Sequence, residues 1–145
     1  MTIDSAALLS ELKADPKQLG YRAAGSPATI AALLNTVGLS GETCANTAVS
    51  MDEVMIVLDL DEWDALIQSR RDFLIRVSYL ASIDLSNAAV MAQLNKIFPS
   101  TTKTAQALNT MVTRPCTRAE ALFGGGTVVT ADDVVSACAL NGGIL

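Results

Sequence analysis

Helix starts and stops recur so closely along this chain that no long element fits between them. Asp4 stands where a first helix begins, with Ala7, Leu8 and Leu12 on its apolar side. Asp15-Pro16 ends that helix near Ala14, because the residue before a proline avoids helical geometry, and Gly20-Tyr21 forms a turn. Ser26-Pro27 supplies an N-cap serine and a first-turn proline for a helix through Ile30, Leu33 and Leu34, with Gly38 as its left-handed terminator. Residues 39–49 lack periodicity and read as loop. Ser50 followed by Glu53 is a capping box, opening a short helix with Val54, Met55, Val57 and Leu58. Asp59 or Asp61 caps the next, through Trp63, Leu66 and Ile67. Ser69 with Asp72 opens a longer one carrying Phe73, Leu74, Val77, Tyr79 and Leu80.

The same grammar runs to the end. Residues 83–86 are a break, and Ser86 starts a helix through Val90, Met91, Leu94, Ile97 and Phe98 that Pro99 stops. A further helix starts near Thr102 with Ala105, Leu108, Met111 and Val112. Pro115 either kinks it or begins another through Ala119 and Leu122. Residues 124–126 are a glycine turn, and Thr130 with Asp133 caps a last helix through Val134, Val135 and Leu140, ended by Asn141-Gly142-Gly143. Residues 54–58 and 127–130 have strand propensity, but the first follows a capping box and the second is too short for a sheet. The expectation is an all-α fold: an irregular bundle of seven to nine short helices in a single domain over residues 1–145. Its expected core is Leu8, Leu12, Leu33, Leu34, Val54, Leu58, Leu66, Phe73, Val77, Leu80, Leu94, Leu108, Leu122, Val134 and Leu140.

Composition narrows the function classes. Charged residues are 17% of the chain, against roughly 25% in ordinary globular proteins. Two readings follow: apolar surface that is covered by oligomerisation or assembly, or an alanine-rich helical monomer. No apolar run approaches the roughly 20 residues of a spanning helix, so no membrane is expected as partner. A net charge of −5 with scattered cations, only Arg70-Arg71 adjacent, argues against nucleic-acid binding. Cys44, Cys116 and Cys138 form no CxxC pair and have no histidine beside them, which excludes the usual zinc sites. They read as buried or half-buried thiols in a reducing compartment, and the start Met1-Thr2-Ile3-Asp4 lacks a signal-peptide pattern, so folding in a cytoplasm is expected.

Standard site chemistries find no residues to carry them. No cofactor, metal or small-molecule ligand is expected. Asp52, Glu53, Asp59, Asp61, Glu62 and Asp64 crowd into thirteen residues around Trp63. A calcium loop starting at Asp59 fails, because its sixth position is Asp64 instead of glycine and its twelfth is Arg70 instead of glutamate. Those acids read as occupants of helix N-termini, where the macrodipole favours negative charge, and as a candidate interface or acidic face with Trp63. The glycine run precedes Thr127-Val128-Val129 with no lysine, so it is not a phosphate loop. With no histidine to activate a serine or cysteine, and 4% aromatic residues to line a cleft, no enzyme is expected. Tyr21 is expected to lay its ring over the first helices with its hydroxyl near solvent.

Several phrases taken in order resemble a family of small tailed-bacteriophage proteins encoded with virion structural or assembly genes. They are Leu9-Ser10-Glu11-Leu12 through Asp15-Pro16 to Gly20-Tyr21, then Ala31-Ala32-Leu33-Leu34-Asn35, then Ser50-Met51 with Glu53-Val54. Glu62-Trp63-Asp64-Ala65-Leu66, Arg118-Ala119-Glu120 before the glycine turn, and Val128 with Asp133-Val134 complete the pattern. Ala23-Ala24-Gly25-Ser26-Pro27 departs mildly from the family's usual turn, and Pro115-Cys116 interrupts a usually helical stretch. The resemblance implies a non-enzymatic virion structural protein, a head–tail neck adaptor (connector) or tail component, partnered by copies of itself and other virion proteins. A neck ring would form by heterologous contacts, and an acidic lumen would let DNA pass. A capsid decoration (cement) protein and a small acidic non-virion inhibitor or assembly factor are the alternatives.

Overall fold

The computed structural model describes residues 2–145, and helix dominates it. In chain order the elements are α1 (Ser5–Ala14), α2 (Tyr21–Ala24), α3 (Pro27–Leu34), β1 (Thr43–Ala45), β2 (Val49–Ser50), α4 (Met51–Ile56) and α5 (Leu60–Asp64). They continue with α6 (Gln68–Val77), β3 (Ser82–Ile83), α7 (Ala88–Ile97), α8 (Lys103–Thr110), β4 (Thr113–Pro115), α9 (Arg118–Phe123) and α10 (Ala131–Ala139). The fold is therefore predominantly helical without being purely all-α, and among the described residues it has ten helices against the expected seven to nine. The strands form two minimal ladders, β1 with β4 and β2 antiparallel to β3, the latter pairing Val49 with Ile83 and Ser50 with Ser82.

Capping side chains set most of the boundaries. The Asp4 carboxylate accepts from the Ala6 and Ala7 amides, Ser26 caps α3 with Pro27 behind it, and Thr102 caps α8. Capping boxes close α4 (Ser50/Glu53), α9 (Thr117/Glu120) and α10 (Thr130/Asp133). Four starts differ from expectation. α2 is an extra helix, entered through Gly20 at φ 83°, a left-handed position where a side chain would strain the backbone. α6 begins at Gln68 without a side-chain cap, so Ser69 lies inside the helix, and Asp72 instead receives the Gln68 amide group. Asn87, not Ser86, caps α7, because Asp84 has already engaged Ser86. Pro115 neither kinks nor opens a helix: it ends β4, and α9 starts at Arg118.

The chain divides into two compact units, one formed by Met1–Cys44 with Pro115–Leu145 and the other by Ala45–Arg114. In unit 1, α10 packs on α1 and α3, and α9 packs on α3. Leu8, Leu12, Tyr21, Ile30, Leu34, Val129 and Val134 make its core. In unit 2, Val49, Met51, Val54, Leu74, Leu85, Leu94, Phe98 and Leu108 make a second core, with Leu58, Trp63, Leu66 and Val77 half-buried around it. Four expected core residues are exposed instead: Phe73, Leu80, Leu122 and Leu140. α6 shows why, because Leu74 takes the inward position and its neighbour Phe73 is turned outward by the helical step of about 100°. Ala7 is exposed too, leaving Leu8 and Leu12 as the buried stripe of α1.

No helix among the described residues is long and apolar enough to cross a membrane. The expected three free thiols are corrected: Cys44 and Cys116 are joined in a disulfide with their Cα atoms 5.6 Å apart, and only Cys138 is free. The two residues are 72 positions apart, so sequence spacing gave no sign of the pair.

Candidate functional site

Two constellations of charged side chains stand out, one in each unit. In unit 2 the acidic run expected as a face is divided between jobs. Ser50 Oγ accepts from the Glu53 amide at 3.2 Å, while the Glu53 carboxylate accepts from the Ser50 amide at 3.2 Å. Asp59 accepts from the Asp61 and Glu62 amides, both at 3.1 Å, and so caps α5. Glu62 reaches further along the chain, accepting from the Lys103 amide at 2.6 Å and the Thr104 amide at 2.9 Å. It thus satisfies two donors that the first turn of α8 would otherwise leave open. Asp59 and α8 are tied a second time, because the Asp59 amide donates to Thr104 Oγ1 at 3.0 Å. Hydrogen bonding from Thr104, through side chain and amide, and from the Lys103 amide holds the Glu62 carboxyl below its usual range.

Asp52, Asp61 and Asp64 remain exposed, and Trp63 is half-buried against the unit 2 core. The seven residues Asp52, Glu53, Asp59, Asp61, Glu62, Trp63 and Asp64 therefore share a stretch of chain but divide by role. Three carboxylates hold helix ends, three face solvent, and the indole packs half-buried against the unit 2 core. Exposed apolar side chains accompany the solvent-facing acids. Ile56, Leu60 and Tyr79 are 81%, 77% and 84% exposed, and Ile67, Ile75 and Leu80 are exposed as well.

The second constellation lies in unit 1, and the residues' spacing in sequence concealed it. Glu11 on α1 points inward, its side chain 5% exposed. Arg118, the first residue of α9, lays its guanidinium along that carboxylate: Nε donates to Oε1 and Nη2 to Oε2, both at 2.8 Å. A cation at the start of a helix opposes the macrodipole. Its position is therefore explained by the pair and not by the helix. Arg118 Nη1 also pairs with Glu42 Oε1, and Lys17 Nζ stands 3.6 Å from the same oxygen. Hydrogen bonding to Glu11 raises the Arg118 pKa still further, so the guanidinium stays charged at any pH the fold survives.

Tyr21 completes the cluster and corrects an expectation. Its side chain is fully buried and its hydroxyl donates to Glu11 Oε1 at 3.0 Å, away from solvent. Burial first, then the negative charge of Glu11, drives its ionisation well above the usual phenol range. Local chain geometry makes this approach available. Asp15 sits in the left-handed region at φ 40°, which aspartate tolerates better than most residues, and its carboxylate accepts from the Leu19 and Gly20 amides at 2.7 and 2.8 Å. That tether fixes the 15–20 loop and delivers Tyr21 onto Glu11.

The arrangement leaves little chemistry free at Glu11. One oxygen accepts from Tyr21 and Arg118, and the other from Arg118 again. A carboxylate so committed pins α1, the 15–21 turn and α9 together. Comparison with protein-family models, curated proteins and solved structures finds no match for the chain.

Proposed function

We propose that this chain is a non-enzymatic structural subunit of a bacteriophage virion, at the head–tail neck or on the tail, that works by contact with copies of itself and other virion proteins. The observation that carries the assembly half of this reading is the exposed apolar set of unit 2, Ile56, Leu60, Ile67, Ile75, Tyr79 and Leu80. Large apolar side chains left in water, where they adjoin one another, are what a protein covers by association. Exposed Asp52, Asp61 and Asp64 in the same stretch would keep the free subunit soluble and supply the negative lumen that suits DNA passage. The virion half rests on the resemblance of the ordered phrases to small tailed-phage proteins.

Quantitative mass spectrometry of purified particles tests it. A neck ring predicts about 12 copies per particle and a tail-tip position about 3 or 6, on symmetry grounds. Hundreds of copies would move the chain to capsid decoration. Absence from the particle overturns the virion reading and leaves a non-virion inhibitor or assembly factor.

A further inference from the structure

The disulfide stands at a special place in the chain. Unit 2 is an insertion within unit 1, entered between Cys44 and Ala45 and left between Arg114 and Pro115. Cys44 precedes the entry directly and Cys116 follows the exit by one residue, so their bond closes a loop holding all of unit 2. Backbone bonds reinforce the same stem: Cys116 N donates to Glu42 O at 3.2 Å, and Gly38 N donates to Cys116 O at 3.1 Å. Those bonds and the β1–β4 pairing flank the disulfide, whose two Cα atoms stand 5.6 Å apart, the ordinary separation for such a bond. The sulfurs are also unlike. Cys116 is fully buried, whereas Cys44 is half-exposed.

We propose that Cys44 and Cys116 are a reversible thiol–disulfide exchange site whose co-reactants are small thiols and small disulfides, with Cys44 the attacking and attacked sulfur and Cys116 the buried resolving one. In oxidation the Cys44 thiolate attacks a small disulfide, forming a mixed disulfide and releasing one small thiolate. The Cys116 thiolate then attacks the Cys44 sulfur, forming the protein bond and expelling the second. Two electrons pass from the protein thiols to the small disulfide, and their two protons end on the two released thiols. An excess of small thiol runs both steps backwards, entering at Cys44. The oxidised stem is closed covalently, and the reduced stem is held by its short backbone ladder alone. This site stands on its own residues and does not depend on the virion reading.

The test uses the purified full chain equilibrated in mixtures of reduced and oxidised glutathione, with differential alkylation and peptide mass spectrometry at each cysteine. The expected result is a Cys44–Cys116 linked peptide at oxidising ratios that is lost at reducing ones, with Cys138 alkylatable throughout. Cys116→Ser should accumulate a glutathione adduct on Cys44, and Cys44→Ser at least about tenfold less on Cys116, following exposure. Hydrogen exchange of wild-type chain reduced with a phosphine should rise at least about tenfold at 43–46 and 113–116, with α1 and α10 unchanged. Equal adducts at the two cysteines, linkage through Cys138, or unchanged exchange at the stem on reduction would each overturn the proposal. Because the last measurement needs no substitution, it decides even where a variant fails to fold.

Discussion

Replacing Arg118 with methionine isolates the value of the unit 1 pin. The side chain keeps an unbranched apolar stem but loses the guanidinium, so both hydrogen bonds to Glu11 and the pair with Glu42 disappear. Glu11, 5% exposed, then keeps only the Tyr21 hydroxyl as partner. Breaking a buried ion pair from one side costs about 3–5 kcal/mol, because an uncompensated charge is left behind. For a chain of this size each kcal/mol moves the midpoint by about 2–4 °C, so Arg118→Met should lower Tm by about 10–15 °C, read by circular dichroism at 222 nm. The companion variant Glu11→Leu with Arg118→Met removes both charges and should regain part of that loss, the remainder being the Tyr21 hydroxyl left without its acceptor, about 1–3 kcal/mol. A single variant losing under about 1 kcal/mol, or a double variant as unstable as the single, would refute the account of the cluster as a buried and mutually dependent pair.

Two pH experiments follow from the same geometry. Glu62 is held below the usual carboxylate range in the folded chain, so its contribution is present above the unfolded carboxylate pKa and is lost as pH falls through the lower folded value. The Lys103 and Thr104 amide resonances should therefore titrate with a midpoint below that of an unperturbed glutamate, and Glu62→Gln should abolish that titration. Tyr21 is raised instead, so the stabilisation from its neutral hydroxyl is complete below about 10 and is lost as pH rises through the higher folded value. Its ionisation at 295 nm should coincide with alkaline loss of helicity. Tyr21→Phe should uncouple the two and cost about 1 kcal/mol at neutral pH, by denaturant titration.

Local chemistry was legible wherever a single short phrase carried it. Asp4, Ser26-Pro27, Ser50/Glu53, Thr102 and Thr130/Asp133 each declare a helix start, because cap and capped amides lie within three residues. Features that depend on distant residues were not legible. Glu11 and Arg118 are 107 positions apart, and nothing local marks either as buried. The disulfide hides in the same way, since Cys44 and Cys116 meet beside the β1–β4 pairing although 72 positions separate them. Two-residue strands such as Val49–Ser50 leave no periodic signature, and a one-position error on α6 was enough to exchange Phe73 for Leu74. The acidic run lay between these cases. Glu53 and Asp59 cap their own helices and could be read, whereas Glu62 caps α8 from 41 residues away and could not.

The phrases on which the resemblance rests are rich in such fixing bonds. Glu11, Asp15 and Tyr21 of the opening phrase build the buried cluster, and Arg118 of a later phrase closes it. Asn35 binds Val129 by both its amide groups, donating to the carbonyl at 2.7 Å and accepting from the N–H at 2.9 Å. Glu120 caps Thr117 and accepts from Gly126, which ties α9 to the glycine turn. Each of these side chains spends its polar atoms on the fold. Residues so committed have little left with which to recognise a partner. Under the proposed assembly role, recognition falls to side chains outside the hydrogen-bonded scaffold, among them Ile56, Leu60, Ile67, Ile75, Tyr79 and Leu80 of unit 2. Their side chains make none of the hydrogen bonds that hold the helix ends, which leaves them free for apolar contact. On that proposal, attachment falls to the exposed apolar residues between Ile56 and Leu80, which the hydrogen-bonded scaffold leaves free.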